Sequence, residues 1–194
     1  HGVSVRTTYD AGVALRGITV NSMKIDAASG SFSGTVRVSC TNGSWNTTIQ
    51  KMYIYGTFDT PVENVKGNTA YFAEAASGQT VVTMNLATSF ISVDQAKSNY
   101  EQELGGKTFD EVYTEAQAIW EDKLGVVEIE GATEDQLISF YSNMYRLFLY
   151  PNHMGEYTGE GTEGGWQYRS PYTQEVVDGK MYYNNGFWDT YRTA

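Results

Sequence analysis

The residues with the clearest chemical potential lie near the C-terminal end of the sequence. The run 184–192 reads NNGFWDTYR and places aromatic rings, a carboxylate and a guanidinium close together. The indole of Trp188 offers an apolar plate on which the C–H face of a sugar ring can stack. The neighbouring Asp189 can accept two strong hydrogen bonds from adjacent hydroxyls, so the pair fits a neutral polyhydroxylated ligand. A structural explanation is also open, in which Asp189 caps a helix and pairs with Arg192.

Elsewhere the sequence offers few reactive groups. It contains no glycine-rich phosphate loop, no HExxH, no nucleophile elbow and no CxxC. His153 lies near Glu156 and could act as a ligand or an acid–base group, although a histidine packed in a loop is the more frequent case. The single cysteine, Cys40, cannot form an intrachain disulfide and is predicted to be a small buried strand residue.

The composition excludes several classes of protein. Of the 194 residues, 41% are hydrophobic and only 19% are charged, which excludes a disordered chain. No apolar run approaches the roughly 20 residues that span a bilayer, so we predict no membrane span. Thirteen basic and 23 acidic residues give a net charge of −10, and no basic block occurs. A nucleic acid or an anionic membrane is therefore not expected as a partner.

The elements that must position the candidate residues fall into two regions, divided near residue 92. Residues 1–91 contain short alternating stretches of β-branched and aromatic residues, which predict half-buried strands. Turn signals such as 28–30 separate these stretches, a pattern typical of an antiparallel β-sandwich. The clearest stretches are 3–7, 35–39, 52–55 and 81–87.

After residue 92 the apolar residues recur at helical spacing. Three capping boxes are predicted, formed by Ser92 with Gln95, Thr108 with Glu111, and Thr133 with Gln136. Together with the stop signals Gly125 and Pro151 they predict helices over 93–104, 109–124 and 134–150, and a short strand over 126–130. The predicted fold class is therefore α+β with segregated regions, an antiparallel β-sandwich followed by helices.

The segment from Pro151 to Gly186 shows little periodicity, apart from a predicted hairpin over 176–181. Its many aromatic residues argue for order, and a long irregular segment in a compact protein is usually functional. The chain begins at His1 without a methionine or a signal-peptide pattern, and it ends directly after the aromatic run. We therefore expect a piece of a longer protein.

Several segments, taken in order, resemble glycoside hydrolase family 92. The similarity extends over about residues 50–194, whereas the first 50 residues fit only a generic β-sandwich. Several matching segments in the same order and register identify the family more specifically than the Trp-Asp-Thr tripeptide alone. The matching segments are 87–96 (ATSFISVDQA), 109–124, 127–131 (VEIEG), 140–146 (FYSNMYR) with Pro151 after it, and 186–192 (GFWDTYR), which resembles the Trp-Asp-Thr-aromatic-Arg motif of the family.

The resemblance implies a calcium-dependent, exo-acting α-mannosidase that inverts configuration, with α-1,2 linkages favoured. It implies that 1–91 is part of an N-terminal β-sandwich, that 92–125 forms linker helices and that 126–194 starts an (α/α)6 barrel. Trp188 and Asp189 would then bind the terminal mannose of a glycan. The implied setting is a bacterial enzyme that is secreted, cell-surface or periplasmic.

The resemblance also implies that the catalytic acid and base lie beyond Ala194, as do the main calcium ligands. An inverting glycosidase needs two carboxyl groups roughly 6.5–9.5 Å apart, with room for a water molecule between them. Glu156, Glu160 and Glu163 match no catalytic motif of the family, so we expect the isolated chain to be inactive. Two alternatives stay open: a non-catalytic carbohydrate-binding β-sandwich module with a helical appendage, and a purely structural interdomain module.

Overall fold

The computed structural model describes residues 2–9, 19–39, 49–73, 76, 78, 80–161 and 164–183. Cys40 lies outside this part of the chain. Within the described residues, seven strands come first, three helices follow and five short strands come last. The predicted α+β class, in which strands precede helices, is therefore confirmed.

The strand region is built around one antiparallel sheet. Its strands follow the spatial order β1-β7-β4-β3-β2, and every neighbouring pair is antiparallel. The four stretches predicted as strands all lie within this sheet. The bounds are Gly2–Tyr9 for β1, Thr19–Asp26 for β2, Ser31–Ser39 for β3, Ile49–Phe58 for β4 and Thr80–Ser89 for β7. A separate hairpin joins β5 (Val62–Lys66) to β6 (Thr69–Phe72).

The apolar core lies on one face of this sheet. Successive side chains of a strand point to opposite faces, so Phe32 and Val36 share a face, and Ile54 and Met84 join them in one buried cluster. Gly56 lies opposite Phe32 in the register. A Cβ atom at Gly56 would lie 2.5 Å from the Phe32 ring, so this close packing requires glycine.

Helix α1 (Val93–Glu103) packs against the other face of the sheet. The hydroxyl of Tyr100 is hydrogen-bonded to that of Thr57 at 2.7 Å, and its ring meets the ring of Tyr55 edge-on at 5.3 Å. Ala87 of β7 and Ala96 of α1 are both fully buried, because small side chains let the helix approach the strands closely. The strand region and the first helix therefore form one packed unit.

The capping signals explain where the helices begin. Helix α2 (Phe109–Leu124) has the predicted box between Thr108 and Glu111, and hydrogen bonds from the Thr108 backbone and hydroxyl lower the pKa of the Glu111 carboxyl. Helix α3 (Glu134–Leu147) has the predicted box between Thr133 and Gln136. The bounds of α2 agree with the prediction residue for residue.

The box predicted at the start of α1 is only half formed. The Ser92 hydroxyl accepts the backbone N–H of Gln95 at 3.0 Å, as an N-cap does. The Gln95 side chain, however, donates to Asn99 and to the carbonyl of Tyr157, and the N–H of Ser92 donates to the Ser89 hydroxyl. A long-range partner therefore replaces the local one.

Two other local predictions are wrong. Helix α3 ends at Leu147, three residues before the predicted end: Pro151 disfavours the helical region for Tyr150, and Phe148 and Leu149 form a turn ahead of it. Residues 126–130 form a turn and irregular chain without a strand, since no neighbouring strand pairs with them. The Tyr141 hydroxyl anchors this stretch by donating a hydrogen bond of 2.7 Å to the carbonyl of Val127.

Helices α2 and α3 contact one another but bury little. The rings of Trp120 and Tyr145 lie 4.6 Å apart at their crossing. In the described structure neither helix has a buried residue, and Ile119, Ile138 and Leu147 are 61%, 57% and 78% exposed. None of the described helices combines the length and the apolar character that a bilayer crossing requires.

The segment after Pro151 consists of short strands that pair with one another. β10 (Trp166–Arg169) pairs with both β9 (Glu156–Tyr157) and β11 (Val176–Asp178), and β12 (Tyr182–Tyr183) pairs with β8 (Asn152–His153). The hairpin predicted over 176–181 is therefore wrong, because β11 and β12 each pair with an earlier strand instead of with one another.

Candidate functional site

The two residues singled out by the sequence, Trp188 and Asp189, lie outside the described residues, as does Arg192. The structure does describe the chain that leads to them. β12 ends at Tyr183, five residues before Trp188, and is paired with β8 through Tyr182 opposite His153. The pairing with β8 therefore fixes the position of Tyr182 and Tyr183, which directly precede the run 184–192.

A continuous row of aromatic rings lies on this pair of strands and on its neighbours. Tyr182 contacts His153 at a centroid distance of 5.1 Å, His153 contacts Trp166 at 5.0 Å, and Trp166 contacts Tyr157 at 5.7 Å. We refer to these four residues as the aromatic row. Tyr182 and Tyr157, at its two ends, are 60% and 47% exposed, so the row presents aromatic surface to solvent.

His153 occupies the middle of the aromatic row. Its Nε2 atom is buried and has no hydrogen-bond partner in the described structure. A Cβ atom at Gly155 would lie 2.7 Å from this nitrogen, so the backbone of Gly155 closes the space beside it. Burial lowers the pKa of His153, and the positive charge of Lys180 lowers it further. The neutral imidazole therefore serves as a packed ring, the loop-packing role that was the more frequent expectation.

A charged group lies against the aromatic row. The Lys180 ammonium lies over the Trp166 ring, 4.4 Å from its centroid, in a cation–π contact. On the other face of β10, Gln167 donates a hydrogen bond of 2.9 Å to Asp178. Aromatic faces with a few polar groups at their edge are suited to ligands that carry both C–H faces and hydroxyls, as sugars do.

Glu156 is the most completely buried large polar residue in the described chain, at 1% exposure. One carboxylate oxygen accepts the backbone N–H of Phe90 at 2.8 Å, and the other accepts the side-chain amide of Asn99 at 2.9 Å. These contacts hold Glu156 away from solvent and give each carboxylate oxygen a donor, so the structure assigns it a structural role. Local sequence signals missed this role, because both partners lie more than fifty residues away.

Arg169 contacts the same stretch of backbone as Glu156. Its Nε and Nη2 atoms donate to the carbonyls of Phe90 and Ile91, and its Nη1 donates to the carbonyl of Gln174. The planar guanidinium allows three such bonds from one side chain. The connection between β7 and α1 is thus held by a carboxylate on an N–H group and by a guanidinium on two carbonyls.

A metal site is not formed by the described residues. Among them, no three His, Cys, Asp or Glu side chains come together in a way that could hold an ion. Calcium binds six to eight oxygen ligands, several of them carboxylates. The described donor set does not fit calcium.

Comparison with known proteins adds the family. The model of the glycosyl hydrolase family 92 catalytic domain matches residues 95–194. An uncharacterized secreted glycosidase of Arthroderma benhamiae is 33% identical over 110 residues, which are 55% of this chain and 14% of that protein.

Two solved structures are also similar. An inverting mannosidase of family 92 from Bacteroides thetaiotaomicron is 30% identical, with a TM-score of 0.71, over 87% of this chain and 24% of that one. A family 92 α-mannosidase from the same organism, solved with mannoimidazole, is 19% identical, with a TM-score of 0.73, over 98% and 28% of the two chains.

The matched parts of this chain therefore cover only 14% to 28% of the length of these relatives. The family match covers half of the chain and includes most of α1, all of α2 and α3, the aromatic row and the Trp-Asp-Thr run. These features agree with the segments in which the sequence resembles the family. This chain belongs to glycosyl hydrolase family 92.

Proposed function

We propose that this chain is part of an inverting exo-α-mannosidase that removes terminal mannose from glycans. The observation that carries the proposal is the family match over 95–194, supported by 30% identity to an inverting mannosidase. In this proposal 1–91 belongs to an N-terminal β-sandwich, 92–125 forms linker helices and 126–194 starts an (α/α)6 catalytic domain. The five-stranded sheet and the helices α1 to α3 are consistent with that division.

Trp188 and Asp189 are proposed to bind the terminal mannose. The Trp188 indole supplies an apolar wall, and the Asp189 carboxylate accepts hydrogen bonds from hydroxyls away from the reacting carbon. The order of the elements along the chain supports this role, because the run 184–192 directly follows β12, whose Tyr182 belongs to the aromatic row. A sugar bound by Trp188 would therefore be bound by the chain segment that directly follows the aromatic row in sequence.

The exposed helices support a larger catalytic domain. Amphipathic helices normally bury their apolar stripe, yet Ile119, Ile138 and Leu147 are mostly exposed. We propose that further helices of the full-length parent cover these residues. The catalytic acid, the catalytic base and the calcium ligands would lie in that part of the parent, since the described residues provide neither a calcium site nor a carboxylate pair that matches the family.

The names of the relatives support the proposed location of the enzyme and mannose as its substrate. We propose a secreted, cell-surface or periplasmic enzyme, because one relative is named as a secreted glycosidase. A mannose-containing glycan with α-1,2-linked ends is the proposed substrate.

The test uses the full-length parent and follows the release of mannose from α-1,2-mannobiose by NMR. We expect β-mannose as the first product, because an inverting enzyme delivers water to the face opposite the leaving group. Treatment with a calcium chelator should abolish the release, and added calcium should restore it. Release of α-mannose as the first product would overturn inversion, and no release from any α-mannoside would overturn the proposed activity.

A second candidate function is a non-catalytic carbohydrate-binding module, which the exposed rings of the aromatic row favour. This alternative requires that the isolated chain binds mannosides with a saturable isotherm and that the full-length parent cleaves none. Calorimetry with mannobiose on the chain, beside the NMR assay on the parent, separates the two functions.

A further inference from the structure

The sheet of β9, β10 and β11 has one face that is docked on the connection between β7 and α1. Glu156 of β9 lies opposite Gln167 of β10, and Arg169 follows two residues later, so these three side chains share a face. Glu156 and Arg169 both bind the backbone of Phe90, which lies in the connection. The opposite face of the sheet therefore points away from the connection.

This opposite face carries the aromatic row. Trp166 lies opposite Tyr157 in the register, so both side chains project from it. Ring contacts continue the row from Trp166 through His153 to Tyr182. The rings of Tyr157 and Tyr182, at the two ends, are both exposed. Two tyrosine rings are therefore open to a ligand on the face that is not docked on the connection.

The rings of the row are held in place by their surroundings. A Cβ atom at Gly165 would lie 2.9 Å from the Tyr157 ring, so the backbone of Gly165 lies directly against this ring. Gly165 also has a positive φ, which glycine adopts at little cost. The Trp166 ring contacts Tyr157 on another side and His153 at its own far end. Binding to rings that are already ordered loses little side-chain entropy.

The exposed side chains of this segment differ in kind from those of the helices. Helices α2 and α3 expose aliphatic residues such as Ile119 and Leu147, which favour a dry protein cover. A tyrosine ring can instead pack on a C–H surface while its hydroxyl stays hydrated, which suits a wet contact with a hydroxylated ligand. Within 152–183 the exposed large side chains of the described residues are Tyr157, Tyr172, Val176, Val177, Tyr182 and Tyr183.

The charges of the same segment favour a neutral ligand. Residues 152–183 contain five acidic and two basic residues, so their net charge disfavours an anionic polymer. One of the two basic side chains, Arg169, is bonded to backbone carbonyls on the docked face. The other, Lys180, lies over the Trp166 ring.

We propose that the aromatic row is an accessory surface that binds internal sugar units of a neutral mannose-containing glycan. The choice of glycan rests on the proposed function, whereas the surface is formed entirely by described residues. Tyr157 and Tyr182 are its anchors, because they are the exposed rings of the row. The surface adds affinity for long glycans to the recognition of their terminal mannose.

The experiment is affinity electrophoresis of the 194-residue chain in native gels that contain soluble α-mannan, with the retardation giving an apparent Kd. We expect Tyr157→Ala and Tyr182→Ala each to raise this Kd by about tenfold, a loss typical of truncating an aromatic anchor. Tyr182→Phe keeps the ring and should stay within about twofold of the wild type. The matched control is Tyr113→Ala on α2, because Tyr113 is 62% exposed and Tyr182 is 60% exposed.

Circular dichroism verifies the fold of each variant, and either anchor alone tests the surface if the other variant does not fold. Wild-type Kd in a folded anchor variant, or no retardation of the wild-type chain, would overturn the proposal. Equal retardation by polygalacturonate would overturn the choice of a neutral glycan.

The same anchor variants in the full-length parent should lose the same factor in Kd. An unchanged Kd there would show that another part of the parent covers the row, and it would overturn the accessory surface. A parent that releases no mannose would overturn the proposed function alone, because the retardation of the chain is measured without turnover.

Discussion

The carboxylate of Glu156 accepts a hydrogen bond of 2.9 Å from the side-chain amide of Asn99, and these residues are only 1% and 3% exposed. Fifty-seven positions separate the two residues in sequence. The contact joins helix α1, which packs on the sheet, to β9, which belongs to the segment leading to Trp188. It therefore ties the segment after Pro151 to the helix that packs on the strand region.

Removal of Asn99 should be strongly destabilising. Asn99→Ala leaves one oxygen of a buried carboxylate without its donor, which costs about 1.5–3 kcal/mol of the free energy of unfolding. Urea unfolding followed by circular dichroism measures this loss. Gln102→Ala, an exposed change on the same helix, should stay within about 0.5 kcal/mol of the wild type. Equal stability of the two variants would contradict the buried contact.

The N-cap of α3 offers a second measurement of stability. The Thr133 hydroxyl accepts the backbone N–H of Gln136, and the side-chain oxygen of Gln136 accepts the backbone N–H of Thr133. Thr133→Ala should therefore lower the free energy of unfolding by about 1 kcal/mol. Ser139→Ala, an exposed position inside α3, is the control and should have little effect. A change at Thr133 no larger than that at Ser139 would show that the capping box contributes nothing.

These caps also explain which parts of the fold could be predicted from the sequence. A cap and the helix it starts are local, so α2 was predicted residue for residue and the Thr133 box was found. The strand stretches were found because alternation is local as well. Pairing between residues far apart in sequence is not local: β12 pairs with β8, and the Gln95 side chain donates to the Tyr157 carbonyl instead of completing its capping box. The roles of Glu156 and Arg169 were missed for the same reason, while Trp188 and Asp189 stay a prediction.

His153 should make the stability of the protein depend on pH. Its folded-state pKa is lowered by burial and by Lys180, so the unfolded chain takes up the proton first as the pH falls. The stabilising contribution of the neutral imidazole is therefore fully present above the unfolded pKa of about 6.5 and is lost as the pH falls from there toward the folded pKa. The fall in Tm over this interval measures it.

The substitution His153→Phe isolates this effect, because a phenyl ring can keep the contacts with Trp166 and Tyr182 without a titrating nitrogen. We expect a smaller fall in Tm below about pH 6.5 than in the wild type. His1 is unchanged in both proteins, so its titration cancels in the comparison. The same fall in both proteins would contradict a titrating role for His153.

The isolated chain of 194 residues should release no mannose from an α-mannoside. An inverting mechanism needs a general acid and a general base, and none of Glu156, Glu160 and Glu163 matches the family motifs that supply them. The assay compares the purified chain with the same sample after heat treatment and with the full-length parent. Mannose release above the heated sample would show that the acid and base lie within this chain.

The last prediction separates two roles of Asp189. If Asp189 binds the mannose hydroxyls, Asp189→Ala in the full-length parent removes a charged hydrogen-bond acceptor, which costs roughly 1.5–3 kcal/mol. At about 1.4 kcal/mol per factor of ten, kcat/KM should fall at least about tenfold while Tm is unchanged. If Asp189 instead caps a helix and pairs with Arg192, Tm should fall and kcat/KM should persist. Full activity with a lowered Tm would reject substrate binding, and lost activity with an unchanged Tm would reject capping.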